Sequence, residues 1–267
     1  MEGARPALTI DLCSLVLRPR PGQADIPFQG RHLHAAFLAW IAERNPPLAS
    51  ALHQPGRPRP FTLARLPLPG TVPAFAIRCT LLDRRLSTVV HDRLDADNGE
   101  LGLRLGSATY NLASSPLDDW ANATSWEELA SPPHGQDIAL EFATPTCFSR
   151  DIPGERKRLA LFPQPSWLWE SWALKWQLFG PPIAGLVGIG EAAERWLLVS
   201  AYQLETRTVD LGRIRQKGFV GWASYELQPG VPAETAQHLH MLARFSFYGG
   251  TGYKTAMGLG LTRRRNR

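Results

Sequence analysis

Apolar positions change period repeatedly along the chain. From Ala7 to Leu17 they alternate, with Leu8, Ile10 and Leu12 on one side, which predicts a half-buried strand. Pro19, Pro21 and Gly22 end it. Between Gln29 and Arg44 the spacing of Leu33, Phe37, Leu38 and Ile41 is helical, and Asn45-Pro46-Pro47 stops that helix. Phe61 to Leu68 and Ala74 to Leu82 read as strands around a Pro/Gly turn. Leu86 to Leu94 reads as a short helix with Val89, Val90 and Leu94 on one face, and Leu101 to Leu112 as a strand. The first half therefore runs β-α-β-β-α-β.

The second half repeats the order. Asp137 to Phe142 is a predicted strand, and Trp167 to Phe179 a Trp-rich helix ended by Gly180-Pro181-Pro182. Trp196 to Thr208 and Gly218 to Leu227 are predicted strands joined by a basic turn. Ala233 to Tyr248 is a helix with Leu239, Leu242, Ala243 and Phe245 inside, and Met257 to Thr262 the last strand. The repeat lies in element order, not in residue identity. It predicts an α+β fold of tandem ferredoxin-like (RRM-like) domains over residues 1–132 and 137–267. The Pro/Gly/Ser-rich stretch Ser131 to Gln136 is the joint.

Composition fits that size. The chain has 267 residues, 44% of them hydrophobic, enough for a substantial core. Its 29 Lys and Arg against 24 Asp and Glu give a net charge of +5, and the pI is about 9.4. A basic balance suits a polyanionic partner but does not prove one. Cys13, Cys79 and Cys147 are odd in number and far apart, with no Cys/His ligand spacing. Neither a disulfide framework nor a zinc site is predicted, and a reducing cytoplasm fits. No signal peptide and no membrane span are read, so the expected location is cytoplasmic.

The strongest chemical signal is the glycine-rich tail. Gly249, Gly250, Gly252, Gly258 and Gly260 flank Tyr253, Lys254 and Thr255, and Arg263, Arg264, Arg265 and Arg267 follow. Glycines permit positive φ and close approach to a ligand. Successive free N–H groups in such a loop cradle anions. A nucleotide-hydrolysing P-loop is excluded, because Tyr253 stands where glycine must precede the lysine and the loop runs helix to strand. A structural turn and an RNA-backbone contact remain, with the lysine favouring contact. Further basic groups lie at Arg156, Lys157 and Arg158, and at Arg213, Arg215 and Lys217. Each could be merely solvated; together they suit a phosphate track.

The segment from Ala243 to Leu261 resembles the C-terminal glycine-rich motif of the CRISPR-associated repeat-RNA processing endoribonucleases, the Cas-six family within the wider RAMP proteins. Three other segments agree in order: Leu48 to His53 with Phe61-Thr62-Leu63; Phe142 to Thr146 with Leu161 to Pro165; and Lys217 to Gly221. The glycine tail is the specific one.

The resemblance implies tandem ferredoxin-like domains and metal-independent cleavage of precursor CRISPR RNA, without cofactors. It makes His53 the catalytic histidine. An imidazole can exchange protons near neutral pH. Arg59 falls where some members carry a catalytic lysine, and could stabilise a pentavalent phosphorane; a plain surface arginine is the alternative. Leu38 stands where those members carry a tyrosine. His32 and His34 could compensate, although polar positions on a helix surface are the favoured reading of both. Lys254 could assist. The implied reaction is attack by a 2′-hydroxyl, giving 5′-hydroxyl and 2′,3′-cyclic phosphate ends. It needs no activated water. The expected partner is CRISPR repeat RNA; other effector subunits or a homodimer are compatible. A non-catalytic RNA-binding subunit is the main rival. A ferredoxin-like enzyme on a small phosphorylated substrate is a third class, which leaves the basic tail without a purpose.

Overall fold

A computed structural model describes residues 10–54, 56–116, 118–131, 135, 137–150, 158–212 and 214–265. The first half contains β1 (Leu12–Pro19), α1 (Gly30–Ala42), α2 (Pro46–His53), β2 (Phe61–Pro67), β3 (Phe75–Leu81), α3 (Arg84–Ala96), β4 (Glu100–Leu105), β5 (Ala108–Ser114), β6 (Asn122–Thr124) and α4 (Trp126–Ala130). Local chemistry sets several boundaries. The Asn45 side chain accepts from Leu48 N at 3.1 Å and, with Pro46 and Pro47 in the first turn, starts α2. Asp83 caps α3 through Leu86 N at 3.0 Å.

The sheet runs β2-β3-β1-β5-β4, with β6 on β1. Its antiparallel pairs place β1 between β3 and β5, the ferredoxin-like arrangement with one added hairpin. That hairpin corrects the single strand expected over Leu101 to Leu112. The apolar alternation runs through the turn, but Gly106 takes a φ of +66° and the chain reverses, pairing Leu105 with Ala108.

The second half comprises β7 (Asp137–Thr146), β8 (Phe148–Arg150), β9 (Arg158–Ala160), α5 (Pro165–Phe179), α6 (Ile189–Trp196), β10 (Leu197–Asp210), β11 (Arg215–Leu227), α7 (Ala233–Gly249), a 3-10 turn (Thr255–Met257) and β12 (Thr262–Arg264). The sheet order β10-β11-β7-β12 is again ferredoxin-like. The last strand starts later than its apolar run suggests. Residues 255–257 turn instead, because Lys254 and Gly258 on either side are left-handed, at φ +57° and +94°. The pattern also missed α6, whose short amphipathic run directly precedes β10.

Every residue of β3 is buried. Phe75, Ile77, Cys79 and Leu81 face a core shared with α1, α2 and α3. Burying Phe75 contributes on the order of 2 kcal/mol. Ala76, Arg78 and Thr80 alternate to the opposite face, toward the second half. There Arg78 donates to Phe247 O at 2.7 Å and Trp120 O at 3.1 Å, and Thr80 Oγ1 donates to Tyr248 O at 2.7 Å. The last turn of α7 is thereby fastened to the first sheet. The second core is built on Trp169, Trp172 and Trp176, and takes in Leu12, Leu82 and Leu129 from the first half. The chain carries the glycine-rich loop straight out of α7, so this fastening fixes where the loop emerges.

Candidate active site and RNA interface

The loop is held by its own backbone. Thr251 N donates to Gly260 O at 2.8 Å, Tyr253 N to Cys147 O at 2.9 Å and Gly260 N to Pro145 O at 3.1 Å. These bonds bring the backbone so close that a Cβ at Gly252 would overlap the Cys147 carbonyl, and one at Gly260 the Thr251 carbonyl. Both glycines also sit at positive φ, +72° and +71°. Lys254 adopts the left-handed region as a non-glycine residue, a conformation that costs energy and recurs at ligand sites. The amides of Gly252 and Lys254 have no hydrogen-bond partner among the described residues. The Lys254 ammonium lies 5.2 Å from the Tyr253 ring centroid beside them. Unpartnered amides next to a cation are chemically suited to an anion.

The far side of the loop touches the first half. The Ala256 carbonyl lies 3.2 Å from His34 Nδ1, and Gly30 at the start of α1 packs so closely on the Met257 carbonyl that a Cβ would overlap it. A carbonyl only accepts, so His34 Nδ1 carries a proton, and in the neutral ring Nε2 keeps the lone pair. The His34 ring stacks on Phe61 at 5.8 Å and stands 6.4 Å from the ring of His53. Burial holds the His34 pKa below its ordinary value, and the Arg59 and His53 charges push the same way; the Ala256 hydrogen bond opposes them. His53 ends α2 and is exposed. Arg59 folds back over that helix end, donating to His53 O at 3.2 Å, to Arg57 O at 3.5 Å and also to Gln54 O. It caps the last carbonyls of α2 and keeps a fixed positive charge beside both imidazoles.

The structure thus brings His53, Arg59, His34 and the loop together. It sets His32 apart: Nδ1 accepts from Gln29 N at 3.2 Å, closing the start of α1. Leu38 is buried in the first core, and His34, one helical turn earlier, faces His53. Arg215 and Lys217 are exposed on β11, paired across to Asp210 and Thr208. That hairpin reaches the site, because Leu211 near its tip packs with Leu259 and Tyr253 of the loop. The terminal arginines do not. β12 runs along β7 from Phe142 to Leu140, away from the loop. Arg263 pairs with Glu141 at 2.7 Å and lies 4.2 Å over the Trp120 ring. Arg264 donates to Asp137 O at 3.3 Å, and Arg265 lies 4.9 Å over Trp222. Arg156, Lys157, Arg213 and Arg267 lie outside the described residues, as does the side chain of Arg158.

Two side chains of α5 hold the loop and were not among the residues singled out from the sequence. Trp172 Nε1 donates to Thr251 Oγ1 at 3.0 Å. Lys175 Nζ donates to Thr255 Oγ1 at 2.9 Å and to Gly249 O. The signal was available: Leu168, Trp172, Lys175 and Phe179 share a helical stripe, and a lone cation on an apolar stripe demands partners.

Comparison with known proteins follows the same geometry. Residues 140–262 match the family model described as CRISPR-associated endoribonuclease Cas6. Among solved structures, a Cas6 protein (TTHA0078) in a substrate mimic complex is 30% identical over 95% of this chain and 99% of its own, with a TM-score of 0.73. The chain belongs to the Cas6 family. A Thermus thermophilus Cas6 (TTHB231), solved as a product complex, is 29% identical over 96% of this chain and all of its own, at a TM-score of 0.83. A RAMP protein described as binding different RNA substrates shares the fold at 14% identity, with a TM-score of 0.56. No curated protein matches. As a Cas6 endoribonuclease, the chain carries the tandem ferredoxin-like scaffold of that family. Among the described residues no helix is long and apolar enough to cross a membrane.

Proposed function

We propose that this Cas6 protein cuts precursor CRISPR RNA within its repeats by 2′-hydroxyl transesterification. The observation that carries the reading is the placement of His34 and His53 at the foot of the glycine-rich loop, their ring centroids 6.4 Å apart. In the proposed reaction, His34 Nε2 takes the proton of the 2′-hydroxyl upstream of the cut. The 2′-oxygen bonds to phosphorus, the bond to the 5′-oxygen breaks, and His53 gives that oxygen its proton. Arg59 and Lys254 stabilise the charge that gathers on the phosphorane oxygens. The products are a 2′,3′-cyclic phosphate and a 5′-hydroxyl. The 2′-oxygen is the nucleophile throughout, so no step calls on a metal-activated water.

RNA contacts are assigned to the cradle of Gly252 and Lys254 and to Arg215 and Lys217 on the neighbouring hairpin. In this division residues 1–132 supply the proton-transfer groups and Arg59, and residues 137–267 supply the grip together with the Lys254 charge. The similar Cas6 structures include product and substrate mimic complexes and, for TTHA0078, a histidine-to-alanine variant, which is support by relationship.

The deciding experiment uses a repeat RNA with a single 2′-deoxy substitution upstream of the mapped cut. Wild-type protein is expected to cut the all-ribose RNA, leave a cyclic phosphate and spare the deoxy RNA. Cutting of the deoxy RNA would overturn the mechanism. Tight binding without any cutting would favour a non-catalytic subunit.

A further inference from the structure

Lys175 is a buried ammonium on the Trp-rich face of α5, and it forms no ion pair among the described residues. An unpaired buried charge is unfavourable unless hydrogen bonds hold it. Its partners are specific. Gly249 O belongs to the last turn of α7, the negative end of that helix's dipole. Thr255 Oγ1 lies on the other side of the five-residue lobe Gly250–Lys254. One side chain therefore clips the two ends of the lobe together, and Trp172 adds a second clip at Thr251. The residue after Thr255 is Ala256, whose carbonyl receives His34 Nδ1. An unbroken series of contacts thus runs from α5 through the lobe to the imidazole.

We propose that Lys175 is a positioning residue of the cleavage site: by clipping Gly249 to Thr255 it places the Ala256 carbonyl that fixes the tautomer and orientation of His34. The role in cleavage rests on the function proposed above; the link to His34 does not. Burial lowers the Lys175 pKa to about 7, and the amine donates hydrogen bonds in either protonation state, so the clip survives neutralisation.

The test uses Lys175→Met, which keeps an unbranched side chain one atom shorter and removes the donors. The full-length protein is compared with wild type by thermal unfolding, by long-range 1H–15N spectra of its imidazoles, and by single-turnover cleavage at saturating repeat RNA. Wild-type His34 is expected to show a protonated Nδ1. In the variant that signature should shift toward Nε2 protonation. Cleavage should slow about 10- to 100-fold from misplacement of a reacting group, while the unfolding midpoint holds or rises. A generic packing role would leave the His34 signature unmoved. An unchanged signature in the folded variant overturns the proposal whatever happens to the rate. If Lys175→Met fails to fold, Thr255→Val removes one acceptor of the same clip and is judged by the same signature. Should the wild-type protein not cut repeat RNA, the cleavage reading fails while the His34 signature still decides the clip.

Discussion

The imidazole of His34 stands 6.4 Å from that of His53, although the two belong to different helices and His34 is tied to Ala256 in the second half of the chain. Two proton-transfer groups at this separation can serve the two ends of one scissile phosphate. Replacing either with alanine should lower the single-turnover rate by about 10²- to 10⁴-fold and leave affinity for a 2′-deoxy repeat RNA within a few fold. The double variant should lose less than the product of the two effects, because the groups act on one step. Rapid-quench cleavage with a parallel binding titration measures both. Full activity of His34→Ala would remove that residue from the mechanism.

The pH profile follows from the direction of the His34 shift. Burial first, then the charges of Arg59 and His53, hold its pKa below the ordinary histidine value. A general base works in its neutral form. The rate should therefore persist to lower pH than an ordinary histidine would allow, then fall as pH drops through the depressed pKa. Arg59→Gln removes one of the charges that depress it, so the acidic limb should move to higher pH. In His34→Ala the limb should vanish. A limb that keeps its place in both variants would show that another group is titrating.

Much of this was legible in the chain because the signals were local. Pro46-Pro47 after Asn45 marks a helix start in any context, and a cluster of glycines points to positive φ by composition alone. Other features depend on what packs against what. Leu101 to Leu112 alternates without interruption, and only the reversal at Gly106 makes it two strands. The terminal arginines look like a free basic tail, yet β12 pairing turns Arg263 onto Glu141 and Trp120. His32 and His34 are equivalent as letters, but positions two apart on a helix face different ways, so one caps α1 and the other meets Ala256. Lys175 was hidden for the opposite reason: its partners lie 74 and 80 residues away, and no local pattern contains them.

Gly252→Ala tests the loop from inside. The added Cβ would overlap the Cys147 carbonyl, and the residue would keep a φ of +72°. Strain of this kind costs on the order of 1–3 kcal/mol. The unfolding midpoint should drop, and RNA affinity should fall further than stability alone explains, because the open Gly252 amide moves with the loop. Affinity measured well below the midpoint separates the two effects. Unchanged binding would mean that the lobe does not contact RNA.

Chelation tests the chemistry. A 2′-oxygen nucleophile with protein proton donors and cations needs no metal-activated water. Cleavage in excess EDTA, at constant ionic strength, should proceed within about twofold of the untreated rate if proton transfer by side chains is the whole of the catalysis. Loss of activity that magnesium restores would point to a different nucleophile or to a metal-dependent RNA fold. Chelator effects on binding of the 2′-deoxy RNA distinguish those two.

Arg215 and Lys217 are exposed on the hairpin whose tip meets the glycine-rich loop, whereas Arg263 is committed to an ion pair. That contrast predicts different salt behaviour. Each phosphate contact releases condensed counterions, so removing one lowers the slope of log affinity against log salt by about 0.7 to 0.9. Arg215→Ala and Lys217→Ala should each weaken binding and flatten the slope by about that amount, whatever the repeat sequence. Arg263→Ala should leave the slope unchanged and act on stability instead, since its charge is already balanced by Glu141. If Arg263→Ala flattens the slope and the hairpin variants do not, the phosphate track lies on the β12 side of the sheet, and the hairpin's approach to the loop is structural only.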